Sequence, residues 1–527
     1  MHPPALLALL AAALPAASQV HAQAPVEVEL AASSLRAGER ERLEAALGPL
    51  AGLPLYRVEL SLEPQRRQVS GRVSITFTAR RTLAEVALRL TPGAAHPGAV
   101  ALSELEVNGA QSAFARPEPT LRTVALEPPV AAGAPVTLAF RISARVPQLE
   151  EAPALDEAPE RRQGGDRGAF SASADVLSLV GLVPMLAPFQ PGTGELMEGP
   201  AGVGAPASFA PSNFLLAATV PAGWRVLAPG LLMGEVPERR TGRVRHSYAL
   251  AGARGLPVLA VRGYVLARRQ VGEVAVEAWH RPSEGAGGKQ ALEHAAGVAE
   301  VLEARLGPLP YRTLRVVEAS LEAGAEGMAF SGLVTVAQAL HAGEERGLEL
   351  AVARGLAHQY AGLLVGSDPV GEPVADEALA QHLALLAMEW RHGADVAREL
   401  EVAQLRTAYQ LHRLLGGPDA AANRPTWAFD SEAEYAALVA GKAPLKFSAW
   451  RALLGDEAWL ATLRAYVQEQ RYRWVTARTL LELAQRRAPD SADALAESER
   501  RWWDQSHGDE DLGVEPGGEE QDPRWVR

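Results

Sequence analysis

The chain has 527 residues, 48% of them hydrophobic, and a formal net charge of -12. That length implies two to four domains, and the acidic balance argues against nucleic acid as a partner. With no Cys anywhere, disulfides, thiolate metal sites, iron–sulfur clusters and a Cys nucleophile are excluded.

The N-terminus opens on an apolar run without Lys or Arg that ends in Ala22-Gln23-Ala24, the small-x-small pattern of a signal-peptide cleavage site. Residues 1–24 are therefore expected to be a leader cut after Ala24, which would place the mature chain in the periplasm or outside the cell. No later window is long and apolar enough to span a membrane. After an amphipathic stretch, "LRAGERERLEAALGPL", the pattern changes to period two. In "QVSGRVSITFTAR", Val73, Ile75 and Phe77 alternate with Ser74, Thr76 and Thr78, which predicts a strand with one buried face. Similar runs recur to "EVAVEAWH", so residues 25–280 are predicted to be mostly β. Inside them, "EEAPALDEAPERRQGGDRG" reads as a mobile charged loop.

"RPSEGAGGK" reads as a linker. It precedes a helix in which Leu292, Ala295, Val298, Leu302 and Leu306 fall at helical spacing. A strand, "LRVVEA", and the Gly-rich "GAEGMAFSG" follow, and helices then continue to about Trp503. Trp502 and Trp503 are expected to anchor the last helix. His294, His382, His392 and His412 show no metal-like spacing and are assigned to solvated helix faces. Residues 508–527 are acidic and rich in Gly and Pro, and are expected to be a disordered tail.

The informative stretch is "AVARGLAHQYAGLLVGSDPVGEPVADEALAQH", residues 351–382. A zinc-peptidase helix carries two His at i and i+4 with a Glu after the first as general base, because that spacing brings both imidazoles to one metal. Here the same five positions read Arg354, Gly355, Leu356, Ala357 and His358. Eighteen residues intervene between His358 and Glu377, and Gln359, Gly362, Leu364 and Val365 follow the His. This arrangement resembles the aminopeptidase N-like gluzincin zinc metallopeptidases, whose third ligand is a Glu at that interval. "LYRVELSLEPQRRQVSGRVSITF", "LGPLPYRTLRVVEA" and the C-terminal "LLGDEAWLATLRAYVQEQRYRWVTARTLLELAQRRA" are similar to further segments of the same family.

The resemblance implies a multidomain fold: an N-terminal mostly-β domain (25–280), a thermolysin-like α/β domain (281–422) and a short C-terminal helical domain (423–507). It also implies a damaged site. His358 and Glu377 stand at ligand positions. Arg354 replaces a ligand, and Arg has no lone pair for zinc. Gly355 replaces the base. Ala329 and Phe330 stand where the amine-binding loop, G-x-M-E-N, has Glu and Asn, and Ala440 replaces the transition-state Tyr. No cofactor is expected. The reading that follows is an exported, inactive pseudopeptidase whose cleft binds a peptide or protein. The alternatives are an active zinc aminopeptidase drawing a ligand from outside the helix, and an interaction protein that does not use the cleft. Arg354 is expected to reach into the metal position and pair with Glu377, as a fixed cation in place of zinc.

Overall fold

The structure is a computed structural model that describes residues 20–149, 166–190, 194–195, 203–282, 285–322, 324–343 and 345–514. The expected leader lies almost entirely outside these residues, as does most of the charged loop after 149. A helix, Val20–Ala32, runs through the expected cleavage point. Its buried residues Val28, Leu30 and Ala31 lie beyond Ala24 and stay with the body of the protein whether or not the leader is removed.

The alternating segments pair as the period-two pattern requires. An eight-stranded sheet has the spatial order Leu231–Glu238, Arg243–Ala253, Ser212–Pro221, Leu55–Glu63, Gln68–Thr78, Pro135–Arg145, Val100–Val107 and Ala110–Gln111. Two four-stranded sheets and a two-stranded pair, Phe189–Gln190 with Gly194–Glu195, complete the β region among the described residues. Ser74 is buried along with Val73 and Ile75, so Gln68–Thr78 is covered on both faces at its centre. The single-face expectation for this strand fails there.

Next comes a mixed five-stranded sheet: β1 (Val265–Val271), β2 (Val274–His280), β3 (Thr313–Ala319), β4 (Gly327–Phe330) and β5 (Leu333–Ala337). Its spatial order is β1-β2-β3-β5-β4. β2, β3 and β5 run parallel, and β4 turns back antiparallel on β5 as an edge strand. This sheet takes in residues on the N-terminal side of the division expected after residue 280. The parallel step from β2 to β3 needs a crossover, supplied by α1 (Gly285–Leu306). Leu292, Ala295, Val298, Leu302 and Leu306 are all buried there.

The "GAGG" residues expected in a linker are instead the first turn of α1. A Cβ at Gly288 would lie 2.1 Å from the His280 ring, so the glycine lets the helix start close against β2. Two further helices form the floor of the site, α2 (Glu345–His358) and α3 (Glu377–His392). The first residues of the expected tail are described to Val514, and the rest lies outside the described residues. Residues Gly508–Leu512 are helical, because Asp419 accepts from Gly508 N at 2.8 Å and Asp509 accepts from Tyr409 and from Arg413 Nε at 2.6 Å.

One hydrophobic core runs from Val28 to Leu512 through all of these parts. Two buried polar ties join the β region to the helices. Glu39 accepts from Arg471 Nη2 at 2.6 Å and from the Tyr472 hydroxyl at 2.8 Å. Arg254 donates to four backbone carbonyls, those of Leu363, Phe209, Tyr472 and Arg473. Burial pushes the Arg254 pKa down to about 10.

Candidate functional site

α2 packs beneath the β4–β5 hairpin and beside α3. Gln359, just past the end of α2, ties helix to hairpin: its Nε2 donates to Phe330 O at 3.0 Å and its Oε1 accepts from Gly332 N at 2.9 Å. The Tyr360 hydroxyl donates to Gly307 O at 2.8 Å, anchoring the same turn to the end of α1.

His358 and Glu377 meet. His358 Nε2 lies 3.5 Å from Glu377 Oε2, with both side chains partly buried. Gln381, one turn along α3, donates to Glu377 Oε1 at 2.8 Å. Burial works against charge on both groups, but each favours the ionised partner. The His358 pKa is consequently raised, and that of Glu377 falls to about 2. Asp376 caps α3 by accepting from Glu377 N at 2.8 Å. Burial lifts its pKa to about 6, against the pull of His358.

Arg354 does not join this pair. Its Nη1 donates to Glu326, the residue preceding β4, and its Nη2 to Gln404 Oε1 at 3.2 Å. The expected Arg354–Glu377 pair is therefore replaced by two others, Arg354–Glu326 and His358–Glu377. The cause is proximity. Glu377 already has an imidazole and an amide beside it, while Glu326 is a half-exposed carboxylate over Arg354.

Gly355 is not a gap. A Cβ built there would lie 2.3 Å from Val334 Cγ1, 3.1 Å from Cγ2 and 3.3 Å from Cβ, and Val334 is 1% exposed. The room that a general base would need beside α2 is filled by a β-branched core residue of β5. Ala329 and Phe330 lie on β4, both half-buried. Ala329 packs on the main core, and Phe330 on a small cluster with Val176, Leu227, Trp279 and Leu333. Ala440 is half-buried in a π-wound segment, Ala436–Lys442, which packs on α3.

Two residues near the acids were not singled out by sequence. Buried Tyr435 senses the charges of Glu377 and Asp376, and burial together with those charges raises its pKa far above the ordinary value. Arg167, which pairs with Glu432, helps to hold Glu377 ionised. Tyr435 precedes the π-wound turn, whose altered periodicity decouples facing from α-helical spacing. Arg167 sits in a charged loop with no periodicity at all.

The histidine assignments need correction at two places. His382 is 3% exposed, and its Nε2 accepts from Trp459 Nε1 at 3.0 Å. His294 is 5% exposed, with Glu349 3.7 Å from Nδ1 and Glu345 3.8 Å from Nε2. Neither lies on a solvated face. Among the described residues, no three His, Asp or Glu side chains are grouped to hold a metal. The donor set at the expected metal position is one imidazole and one carboxylate already paired to each other, beside a guanidinium. These residues do not fit zinc, which takes at least three protein ligands in catalytic sites.

The sequence matches no protein-family model, and the comparison with curated proteins gives no match. Solved structures do match. An M1 zinc metallopeptidase from Deinococcus radiodurans superposes with a TM-score of 0.60 at 19% identity, covering 85% of this chain and 93% of that one. A glutamate-to-alanine mutant of an M1 zinc metallopeptidase from the same organism, bound to a Tyr-Ser-Ala substrate, gives 0.61 at 18% identity with the same coverages. No helix of the described residues is long and apolar enough to cross a membrane. The chain has the fold of the M1 zinc metallopeptidases, from its β region through the helices beyond the site.

Proposed function

We propose that the chain is an exported aminopeptidase-like protein that has lost catalysis and uses its cleft to bind a peptide or protein partner. The observation that carries the reading is Val334, packed where a side chain at position 355 would have to go. Point loss of a catalytic group can leave a cavity, whereas here the core is closed over the place of the base. Arg354 at a ligand position, its engagement with Glu326, and the direct His358–Glu377 pair support the same reading. β4 remains an edge strand, and an edge strand offers unpaired backbone groups to an extended peptide. The small-x-small sequence ending at Ala24 supports export.

Purified protein tests this directly. We expect no stoichiometric zinc, no hydrolysis of aminoacyl arylamides, and saturable binding in calorimetric titrations with short peptides. Tyr-Ser-Ala is the first probe, because the Deinococcus neighbour is bound to it. Ala329→Arg on β4 should abolish the binding. Near-stoichiometric zinc with chelator-sensitive turnover overturns the inactive reading. Peptide binding that survives Ala329→Arg overturns the use of the cleft.

A further inference from the structure

Two turns at one end of the eight-stranded sheet carry adjacent arginine pairs. Arg66 and Arg67 lie in the connection between Leu55–Glu63 and Gln68–Thr78, and Arg239 and Arg240 in that between Leu231–Glu238 and Arg243–Ala253. The registers bring both turns to the same end. Glu63 lies opposite Gln68 and Gln68 opposite Arg145, while Arg243 lies opposite both Pro221 and Glu238. Arg243 fastens the turns together: it donates to Glu63, to Leu62 O and Thr219 O at 3.0 Å, and to Ser61 Oγ at 3.1 Å. That guanidinium is used inside the sheet, but five others are not. Arg66, Arg145, Arg239 and Arg240 are exposed and Arg67 is half-buried. None of the five meets a carboxylate among the described residues.

Residues 63–67, 145 and 238–243 hold six arginines and two glutamates, a surplus of positive charge on a chain whose formal net charge is -12. Such a patch gathers anions at one place on a molecule that repels them elsewhere. Its shape selects among them. The array crosses six neighbouring strands, about 24 Å at roughly 4.8 Å per step. The two arginine pairs project from turns about 10 Å apart by the same spacing, so a single phosphate reaches one turn at a time. An extended anionic surface meets both turns and Arg145 together. Val236 and Pro237, exposed beside Arg239, add an apolar edge that suits the headgroup region of a lipid layer better than a soluble polyanion. We infer that this end of the sheet docks the protein on a membrane rich in anionic phospholipid. None of these residues belongs to the cleft, so the inference stands apart from whether the site is catalytic.

Co-flotation with vesicles tests it. The full chain should bind vesicles of about one-third phosphatidylglycerol in phosphatidylcholine and come off as salt rises from about 0.05 to 0.5 M. Arg66→Gln, Arg67→Gln, Arg239→Gln and Arg240→Gln together should weaken binding at least about ten-fold, with the thermal midpoint unchanged. Arg398→Gln, Arg464→Gln, Arg486→Gln and Arg500→Gln remove the same charge from exposed positions on the helices and should leave binding as it was. Absence of binding, equal binding to pure phosphatidylcholine, or equal loss in the two quadruple variants overturns the proposal. Binding of soluble polyphosphate by the same arginines, without binding to vesicles, assigns them to a free polyanion and also overturns it.

Discussion

Gly355→Ala is expected to destabilise the protein, against the usual sign of that change. In a helix interior, alanine is favoured over glycine by about 1 kcal/mol. Gly355 lies within α2 and is buried, so propensity alone predicts a gain. The Cβ, however, would sit 2.3 Å from Val334 Cγ1, more than 1 Å inside the ordinary carbon–carbon contact of about 3.5–4.0 Å. Valine has little freedom at χ1 to swing away, and β5 is held on both sides by β3 and β4. Overpacking of this kind costs about 1–3 kcal/mol, and an overlap this deep falls at the upper end. The net expectation is a loss of roughly 1–2 kcal/mol, read as a lower denaturant midpoint with unchanged slope.

A double-mutant cycle isolates the cause. Val334→Ala alone removes two buried methyl groups at a cost of about 2 kcal/mol. Combined with Gly355→Ala, the new methyl occupies part of the vacated space. The double variant should therefore be at least about 1 kcal/mol more stable than the sum of the single changes. Strict additivity, or a Gly355→Ala protein as stable as the parent, refutes the contact and with it the main support for the closed site.

Arg354→His completes a His, His, Glu set and should restore zinc uptake without restoring arylamide hydrolysis, because Val334 still blocks the base position; zinc content and rate, measured together, should separate. Arg354→Ala should cost no more than about 1 kcal/mol, since its partner Glu326 is about half exposed and such pairs are screened; a loss of several kcal/mol would mean that Arg354 neutralises a buried acid after all. Burial chiefly, with Arg451 nearby, pushes the His382 pKa down to about 3. The unfolded chain, with an ordinary value of about 6.5, then binds that proton more readily, so this contribution to stability is complete above about pH 6.5 and is lost as pH falls towards 3. His382→Gln can still accept from Trp459 and does not titrate, so the fall in stability between about pH 6.5 and 4 should become shallower; an unchanged slope removes His382 as its source.

Elements with a clear period were legible before any coordinates. The buried positions of α1, the β region and the strand "LRVVEA" follow from spacing alone, because each buries one face or lies wholly inside. The order of the motif residues also suffices to bring His358 and Glu377 together. What escaped the sequence depends on contacts between separate elements. His382 was assigned to a solvated face, yet "ALAQHLALLAM" is apolar on every side of a helix, and a helix apolar all round is buried; Ala378 through Met388 are indeed all buried. "GAGG" reads as a linker, yet it opens a helix in which Gly287 and Gly288 are small residues at a close approach. Arg354's partner could not be read at all, because Glu326 is reached through the fold and not through the helix.

The same distinction bears on how a peptidase site could be built here. On the proposed reading, the departures at 354, 355, 329, 330 and 440 look independent along the chain, each a group that one change could supply. In space they are coupled. A glutamate at 355 needs Val334 to shrink, and Val334 lies on the hairpin that Gln359 holds to the helix at both Phe330 and Gly332. A histidine at 354 releases Glu326 from its partner immediately before β4. A metal placed between 354, 358 and 377 would also have to compete with the His358–Glu377 pair for those two side chains. Each single reversal thus meets a packing or charge cost before it yields any catalytic gain. On the proposed reading, the cleft is held in its present state by the core around it, and not only by the residue types at those five positions.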